Sequence, residues 1–305
     1  MADPHKQQRE RRMAIVRSFT VGAGDMFYIQ HNTDNFTIID CQLFGDHKEW
    51  LVEELEQASK SKSVIRFIST HPDEDHIQGI EYLDEQMPIR NFYVVENSAT
   101  KAEETESFKH YRKLRDGNTA YYVEKGCKRK WMNLSDETRS MAGIDILWPN
   151  TSNQHFKAAL QEAAAGTAFN NISLVARYAI NDSASFMWIG DLETQFMEDI
   201  FEDITLPVTT VVFAPHHGRK SGKLPNKWLD KLQPKIIVIG EAESRHLHYY
   251  TGYNKITQTK AGDITFIPDG KKIHCYASYK TYGLRNWLDD EGKADQEFYI
   301  GTLNF

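Results

Sequence analysis

Four candidate metal ligands, His71, Asp73, Asp75 and His76, fall within six residues of the segment Thr70-His71-Pro72-Asp73-Glu74-Asp75-His76. The segment follows the apolar run SVIRFIST and precedes the helical pattern IQGIEYLDEQ. A loop at such a junction turns alternate side chains toward one point. His71 and Asp73 can then hold one metal ion while Asp75 and His76 hold a second, a mixed nitrogen and oxygen set suited to zinc or manganese. In a blander role Glu74 and Asp75 would cap the helix.

Two further clusters end apolar strands in the same way. Gly190-Asp191 closes SFMWIG, and an aspartate at the C-terminal edge of a central strand can bridge two cations or cap the helix LETQFMEDIFED. Pro215-His216-His217-Gly218 closes VVFA. Adjacent histidines point in different directions, so one is expected as a ligand and the other as an acid or substrate contact. We assign His216 to the metal and His217 to catalysis, against the alternative of two surface histidines in a turn. Together the three clusters indicate a metal site. Paired cations bring the pKa of a bound water toward about 7 and clamp the oxygens of a displacement at phosphorus. Asp75 could take that water's proton.

The elements that must position these residues alternate along the chain. MAIVRSFTV, the turn Val21–Asp25 and MFYIQ read as a hairpin, and FTIIDCQ as a third strand ending at Asp40. A helix is expected over 47–60, followed by strands at 63–70 and 91–97. Residues 98–141 are charged and lack strand rhythm, which suggests a cap or insertion. Strands resume at GIDILWP, ISLVARYAI, SFMWIGD, TTVVFAP and KIIVIG, and the tail GDITFIPDGKKIHCYASY is a hairpin turning at Pro268-Asp269-Gly270. Two strand-rich halves with flanking helices indicate one α/β domain over 1–305, a sandwich of two sheets covered by helices.

Composition bounds the function. A net charge of −7 over 305 residues argues against non-specific coating of nucleic acid, though not against a local basic groove. Cys41, Cys127 and Cys275 are sparse and form no CxxC pair, which suits a reducing compartment. The polar start MADPHKQQRERR is expected to be a flexible tail rather than a signal peptide, and no apolar run approaches the roughly 20 residues of a membrane helix. A soluble, cytoplasmic protein with no membrane partner is expected; its oligomeric state is left open.

HPDEDH resembles the HxHxDH signature of the metallo-β-lactamase superfamily, with aspartate at the second histidine. With VGAGDMFYI, FTIIDCQ, GIDILWP, NNISLVARY, FMWIGDLE and APHHGRKSG, it resembles the hydrolase domain at the C-terminus of the DNA-uptake channel ComEC, over about residues 18 to 240. The resemblance implies an αββα sandwich, a dinuclear Zn or Mn centre and phosphodiester hydrolysis. Carried over, His71 and Asp73 hold one metal, Asp75 and His76 the other, Asp191 bridges, and one of His216 and His217 completes the second site. The chain departs from the family where a further histidine would fall: Asn170 and Asn171 stand in the NNxSL motif, and Asn171 is taken as a substrate contact. Cys41-Gln42 replaces the family's usual Thr-Gly after Asp40.

Later residues add weaker signals. His246 or His248, beside Tyr249 and Tyr250, could protonate a leaving oxygen or simply pack. Lys128, Arg129 and Lys130 next to Trp131 could hold phosphates or stack a base, or form a solvated face. The leading expectation is a phosphodiesterase or nuclease acting on nucleic acid or nucleotide. The alternatives are hydrolysis of a small nucleotide, phosphate ester or acyl compound, and a non-catalytic metal-stabilised scaffold that binds a partner.

Overall fold

The computed structural model describes residues 13–242, 248–293 and 298–305. Short apolar strands with alternating faces build it, and the chain lays them down in order. The hairpin β1 (Ile15–Ser18) and β2 (Phe27–Gln30) leads into β3 (Asn35–Ile39), and the two-residue β4 (Cys41–Gln42) follows Asp40. Then come β5 (Val64–Ile68), β6 (Phe92–Val94) and β7 (Ala120–Tyr122), each parallel to its predecessor in the sheet. Helices Lys48–Ser59 and Glu106–Arg115 make two of the crossovers.

A second sheet of the described residues is built from β8 (Ile144–Trp148), β9 (Val175–Ala179), β10 (Ser185–Trp188), β11 (Val211–Phe213), β12 (Ile236–Ile239) and β13 (Lys255–Thr257). The order is β13-β12-β11-β10-β9-β8, with β10 to β13 parallel and β8 and β9 antiparallel to their neighbours. The chain then returns to the first sheet through β14 (Ile264–Asp269), β15 (Lys272–Ala277) and β16 (Phe298–Asn304). That sheet reads β16-β15-β14-β1-β2-β3-β5-β6-β7.

Two mixed sheets packed face to face with helices outside are the expected architecture. Aromatic side chains fill the interface between them: Phe27 meets Phe213 at 4.8 Å between ring centroids, and Phe266 meets Phe186 at 5.8 Å. Pleating sends the next residue outward. Tyr28 accordingly points to Glu54 on the helix Lys48–Ser59, at 3.3 Å. On the other sheet Trp148 packs against Phe156 and Phe196 of two flanking helices.

Residues 98–141 contribute to this sandwich. Phe108 and Tyr111 of the helix Glu106–Arg115 are buried, and β7 extends the nine-stranded sheet. The chain beyond β7 runs down the edge of β8, where Gly126 N–H donates to Ile146 and Ile144 N–H to Met132, and so joins the two sheets along one side. The C-terminal hairpin turns at Gly270 and Lys271, one residue later than expected, because Asp269 still pairs with Lys272. No helix of the described residues is long and apolar enough to cross a membrane, and Cys41, Cys127 and Cys275 are unpaired.

The interface makes a quantitative prediction. Phe266→Ala should cost about 3–5 kcal/mol in denaturant unfolding, as for a large aromatic lost from a packed core. Val208→Ala, at an exposed site, should change stability by less than about 0.5 kcal/mol. Similar small losses for both would show that the two sheets are not packed through this layer.

Candidate metal centre

The three strand-end clusters meet where the sheets share an edge. β5 ends at Ile68, and Thr70 to His76 follow as a loop and the short helix Glu74–Ile77. β10 and β11, parallel neighbours, end just before Asp191 and Pro215. The loops therefore emerge side by side, and His216 N–H donates to Gly190 C=O across 3.1 Å.

Asp191 is the hub. Its Oδ1 lies 3.2 Å from His76 Nε2, and its Oδ2 lies 3.5 Å from His217 Nε2 and 3.6 Å from His216 Nε2. The carboxylate is 2% exposed. Its backbone N–H donates to Ser173 Oγ, so the serine of the NNxSL motif fixes it. Gly190 must be glycine: at φ +57 a Cβ would come within 2.7 Å of Ser173 and 3.1 Å of Thr70.

Asp25 completes the set from an unexpected quarter. The tip of the first hairpin bends over the HPDEDH loop, Asp25 N–H donates to Asp75 C=O, and Asp25 Oδ1 lies 3.1 Å from His217 Nδ1. Gly24 permits this approach, since a Cβ there would overlap the Gln42 side chain and the Asp75 carbonyl. Asp25, His76, Asp191 and His217 each offer a ligand atom within 4.8 Å of the others. Asp75 Oδ2 stands 3.3 Å from His217 Nε2.

Asp40, at the end of β3, orients the centre from behind. One oxygen accepts from Thr70 N–H and the other from Thr70 Oγ1–H, and His76 Nδ1 lies 2.8 Å from the latter. A proton on Nδ1 shared with Asp40 leaves Nε2 aimed at Asp191, the usual way an outer carboxylate sets the tautomer of a ligating histidine.

Charge explains the arrangement. Burial opposes charge on His76, yet Asp191 and Asp40 outweigh it and hold the imidazole well above its ordinary range. Burial is overcome at His217 too, where Asp25 and Asp191 raise the pKa to about 10. Burial opposes charge on both carboxylates, yet His76 and His217 hold Asp191 well below the usual carboxylate range, and His217 draws Asp75 down to about 2. Burial together with the neighbouring His76 pushes His71 well below its normal value. The carboxylates thus demand positive charge, which protons on histidine or a cation can supply. Nε2 of His71, His76 and His217 and Oδ1 of Asp191 are buried without a hydrogen-bond partner. Donors on a tetrahedral cation at about 2.1 Å stand roughly 3.4 Å apart. The His76–Asp191, His217–Asp75 and His217–Asp191 separations of 3.2, 3.3 and 3.5 Å fit that spacing.

Other expected residues fall differently. His217, not His216, lies in the cluster. The left-handed backbone of both residues (φ 51 and 54) swings the second ring inward and leaves the first at the mouth, between Ser221 Oγ and Arg219. His71 packs against His76, 4.1 Å between ring centres and tilted by 52°, but Asp73 turns to Lys101, 3.7 Å away. Asn171 spends its amide on Glu193, donating to the carboxylate and accepting the backbone N–H, so it braces the loop after Asp191 rather than presenting a free contact. His248 is exposed with its ring against Tyr249, while His246 lies outside the described residues. The basic patch is remote. Arg66 donates to Trp131 C=O level with Asn35, at the far end of β3 from Asp40 and roughly 17 Å away at strand rise. Lys128 and Lys130 face Asp145 and Asp136, and the Arg129 guanidinium lies over Tyr121.

No family model and no curated protein matches the chain. Among solved structures it is similar to DIM-1 metallo-β-lactamase, at 17% identity and a TM-score of 0.30 over 56% of this chain and 64% of that one. It is also similar to SMB-1 metallo-β-lactamase in complex with mercaptoacetic acid, at 10% identity and a TM-score of 0.37 over 70% and 85%. The chain thus spans less than two thirds of the first of these proteins. Likeness this distant carries no argument about activity, and the two-sheet architecture stands on the strand pairing itself.

The support from Asp40 is testable. Asp40→Asn keeps the shape but weakens the hold on His76, and should lower affinity for Zn²⁺ or Mn²⁺ about 10–100-fold in calorimetric titration. Unchanged affinity in a folded variant would show that Asp40 serves only the local backbone.

Proposed function

We propose that the chain is a cation-dependent hydrolase acting on phosphodiesters. The observation that carries this reading is the convergence of Asp25, His76, Asp191 and His217, whose ligand atoms lie within 4.8 Å of one another, with buried atoms of His76, Asp191 and His217 left without a hydrogen-bond partner. A divalent cation, Zn²⁺ or Mn²⁺, would be held there and supply Lewis acidity, which brings deprotonation of water near neutral pH and neutralises charge on phosphoryl oxygens. The second cation expected from the motifs depends on His71 and Asp73 and is considered below.

The chain's own groups divide the remaining work. Asp75, with 29% of its side chain exposed, faces both His217 and the mouth, where it can accept a proton from the attacking water. His216, whose Nε2 lies 3.3 Å from Arg219 Nη1 and 3.6 Å from Asp191 Oδ2, stands at the mouth, where it can contact the substrate. Asp191 and Asp25 hold His76 and His217 in place. Immediately after the histidine pair, Arg219, Lys220 and Lys223 form a basic rim, Lys220 exposed and the others half-buried. Such a rim favours an anionic substrate at a carboxylate-rich centre. The motifs shared with ComEC-type domains favour phosphorus over an acyl carbon in the same way.

A small nucleotide is the second reading, suggested by a cavity none of whose lining residues belongs to the centre itself. A cavity of about 530 Å³ opens at the C-terminal ends of β6 and β7, on the sheet edge that also carries the HPDEDH loop. Tyr122, Phe156 and Leu160 offer it apolar walls, while Glu96 and Glu124 would repel further phosphates. A base or another uncharged substituent suits that space.

Exhaustive chelation should abolish hydrolysis of bis-p-nitrophenyl phosphate and lower the melting temperature, because an ion bound only by the folded state stabilises it. Asp191→Asn should lose more metal affinity than the roughly 10–100-fold typical of an outer partner, with the fold retained. A chelated protein that stays fully active, or an Asp191 variant with native metal content and turnover, would overturn the reading.

The two basic regions can be told apart. Arg219→Ala with Lys220→Ala should raise KM for an anionic diester more than it lowers kcat. Replacing Lys128, Arg129 and Lys130 together by alanine should leave both constants unchanged. If instead the triple variant alone weakens cleavage of single-stranded DNA and flattens its salt dependence, a polymer tracks the side of the sandwich and the rim is not the phosphate contact.

A further inference from the structure

We infer that Lys101 takes the place of the second cation, so that the centre holds a single metal ion among Asp25, His76, Asp191 and His217. The inference rests on the metal-centre reading above and refines its stoichiometry. The motif pattern assigns His71 and Asp73 to one ion, yet Asp73 Oδ1 lies 3.7 Å from Lys101 Nζ, and Glu74 Oε2 lies at the same distance from that ammonium. The lysine is built in rather than draped over the surface. Its side chain is 15% exposed, and its ammonium stands 4.8 Å from the ring centre of Phe108 and 5.2 Å from that of Phe169. Glu74 is fixed in turn by Thr105 Oγ1, which donates to Oε2 at 2.9 Å and also caps the helix Glu106–Arg115. Two carboxylates and two ring faces thus fix a monovalent cation beside the very carboxylate a second metal would need.

The donor count points the same way. The half with Asp25, His76, Asp191 and His217 has four ligand atoms within 4.8 Å of one another, with Asp75 alongside. The His71 half has His71 itself, an Asp73 already neutralised, and asparagines where a third imidazole would stand, one of them committed to Glu193. A dication added there would share Asp73 with an ammonium and meet its repulsion in a partly desolvated place. His71 packs against His76, and its Nδ1 lies 3.1 Å from Thr70 Oγ1.

Metal content of the full chain tests this without reference to turnover. Protein stripped by chelation, reloaded with Mn²⁺ and freed of loose ion by gel filtration should retain one equivalent and show the paramagnetic resonance of an isolated Mn²⁺. Lys101→Met keeps the apolar stem between the two phenyl rings and removes the charge; it should retain two equivalents with the signature of a coupled pair. Lys101→Arg should stay at one. Asp73→Asn in the otherwise native chain should also stay at one, which guards against a methionine variant that fails to fold. Two equivalents in the native protein, one in a folded Lys101→Met, or loss of the ion in Asp73→Asn would each overturn the role of Lys101 while leaving a metal centre in place. No retained metal in any of them would instead remove the metal-centre reading, and this inference with it.

Discussion

Asp191 is a carboxylate 2% exposed, and a charge so deeply buried is tolerated only among groups that answer it. The answer comes from both sheets. His76 approaches on the loop after β5 of the nine-stranded sheet, while His216 and His217 follow β11 of the six-stranded one. Asp25 reaches in from the first hairpin to hold His217 from its other side. The site therefore also clasps the sandwich at one edge. Thr70, Ser173 and Gly190, which carry no chemistry themselves, are constrained because each positions one end of that clasp.

The backbone carries the cost of this convergence. Asp40, His216 and His217 all adopt left-handed conformations that non-glycine residues rarely occupy. Such strain persists only where surrounding contacts over-determine it. Around the histidine pair the bonds from His216 N–H to Gly190 and from Gly218 N–H to Pro215 do so, and Gly222 and Gly240 let neighbouring backbone crowd the two side chains. A conformation that splays adjacent imidazoles by 76° places one inside the cluster and the other at the mouth.

Legibility in the sequence followed the range of the forces involved. The strands and the three clusters at their ends were readable because apolar runs and the residues that terminate them are local features, and the shared edge follows from parallel neighbours. The role of Asp25 was hidden behind its turn: the glycines before it read as turn formers, whereas Gly24 is needed for a close approach to Gln42 and Asp75, far along the chain. Which of His216 and His217 faces inward depends on φ angles no spacing encodes. Lys101 meets Asp73 from across 28 residues, inside a stretch whose three-residue strand β7 is too short to show a period. That stretch reads as an insertion because it lacks strand rhythm; it is tied down by Phe108, Tyr111 and Leu114 on one face of its helix and by the buried Arg66, which donates to the Trp131 carbonyl.

The distribution of charge bears on what can reach the centre. The chain carries a net charge of −7, and beyond a Debye length of about 8 Å at physiological salt neither that excess nor any single rim residue acts strongly. Attraction must therefore be local: Arg219 stands 3.3 Å from His216 at the mouth, while the chain at Trp131, next to Lys128, Arg129 and Lys130, lies level with the far end of β3. A long polyanion needs a continuous track of positive charge to follow; Asp145 and Asp136 beside Lys128 and Lys130 interrupt it. A compact anion needs only the rim and the centre. The same spacing that puts the basic patch at the far end of β3 thus weakens the case for a polymer and leaves the proposed hydrolysis of a smaller anion untouched.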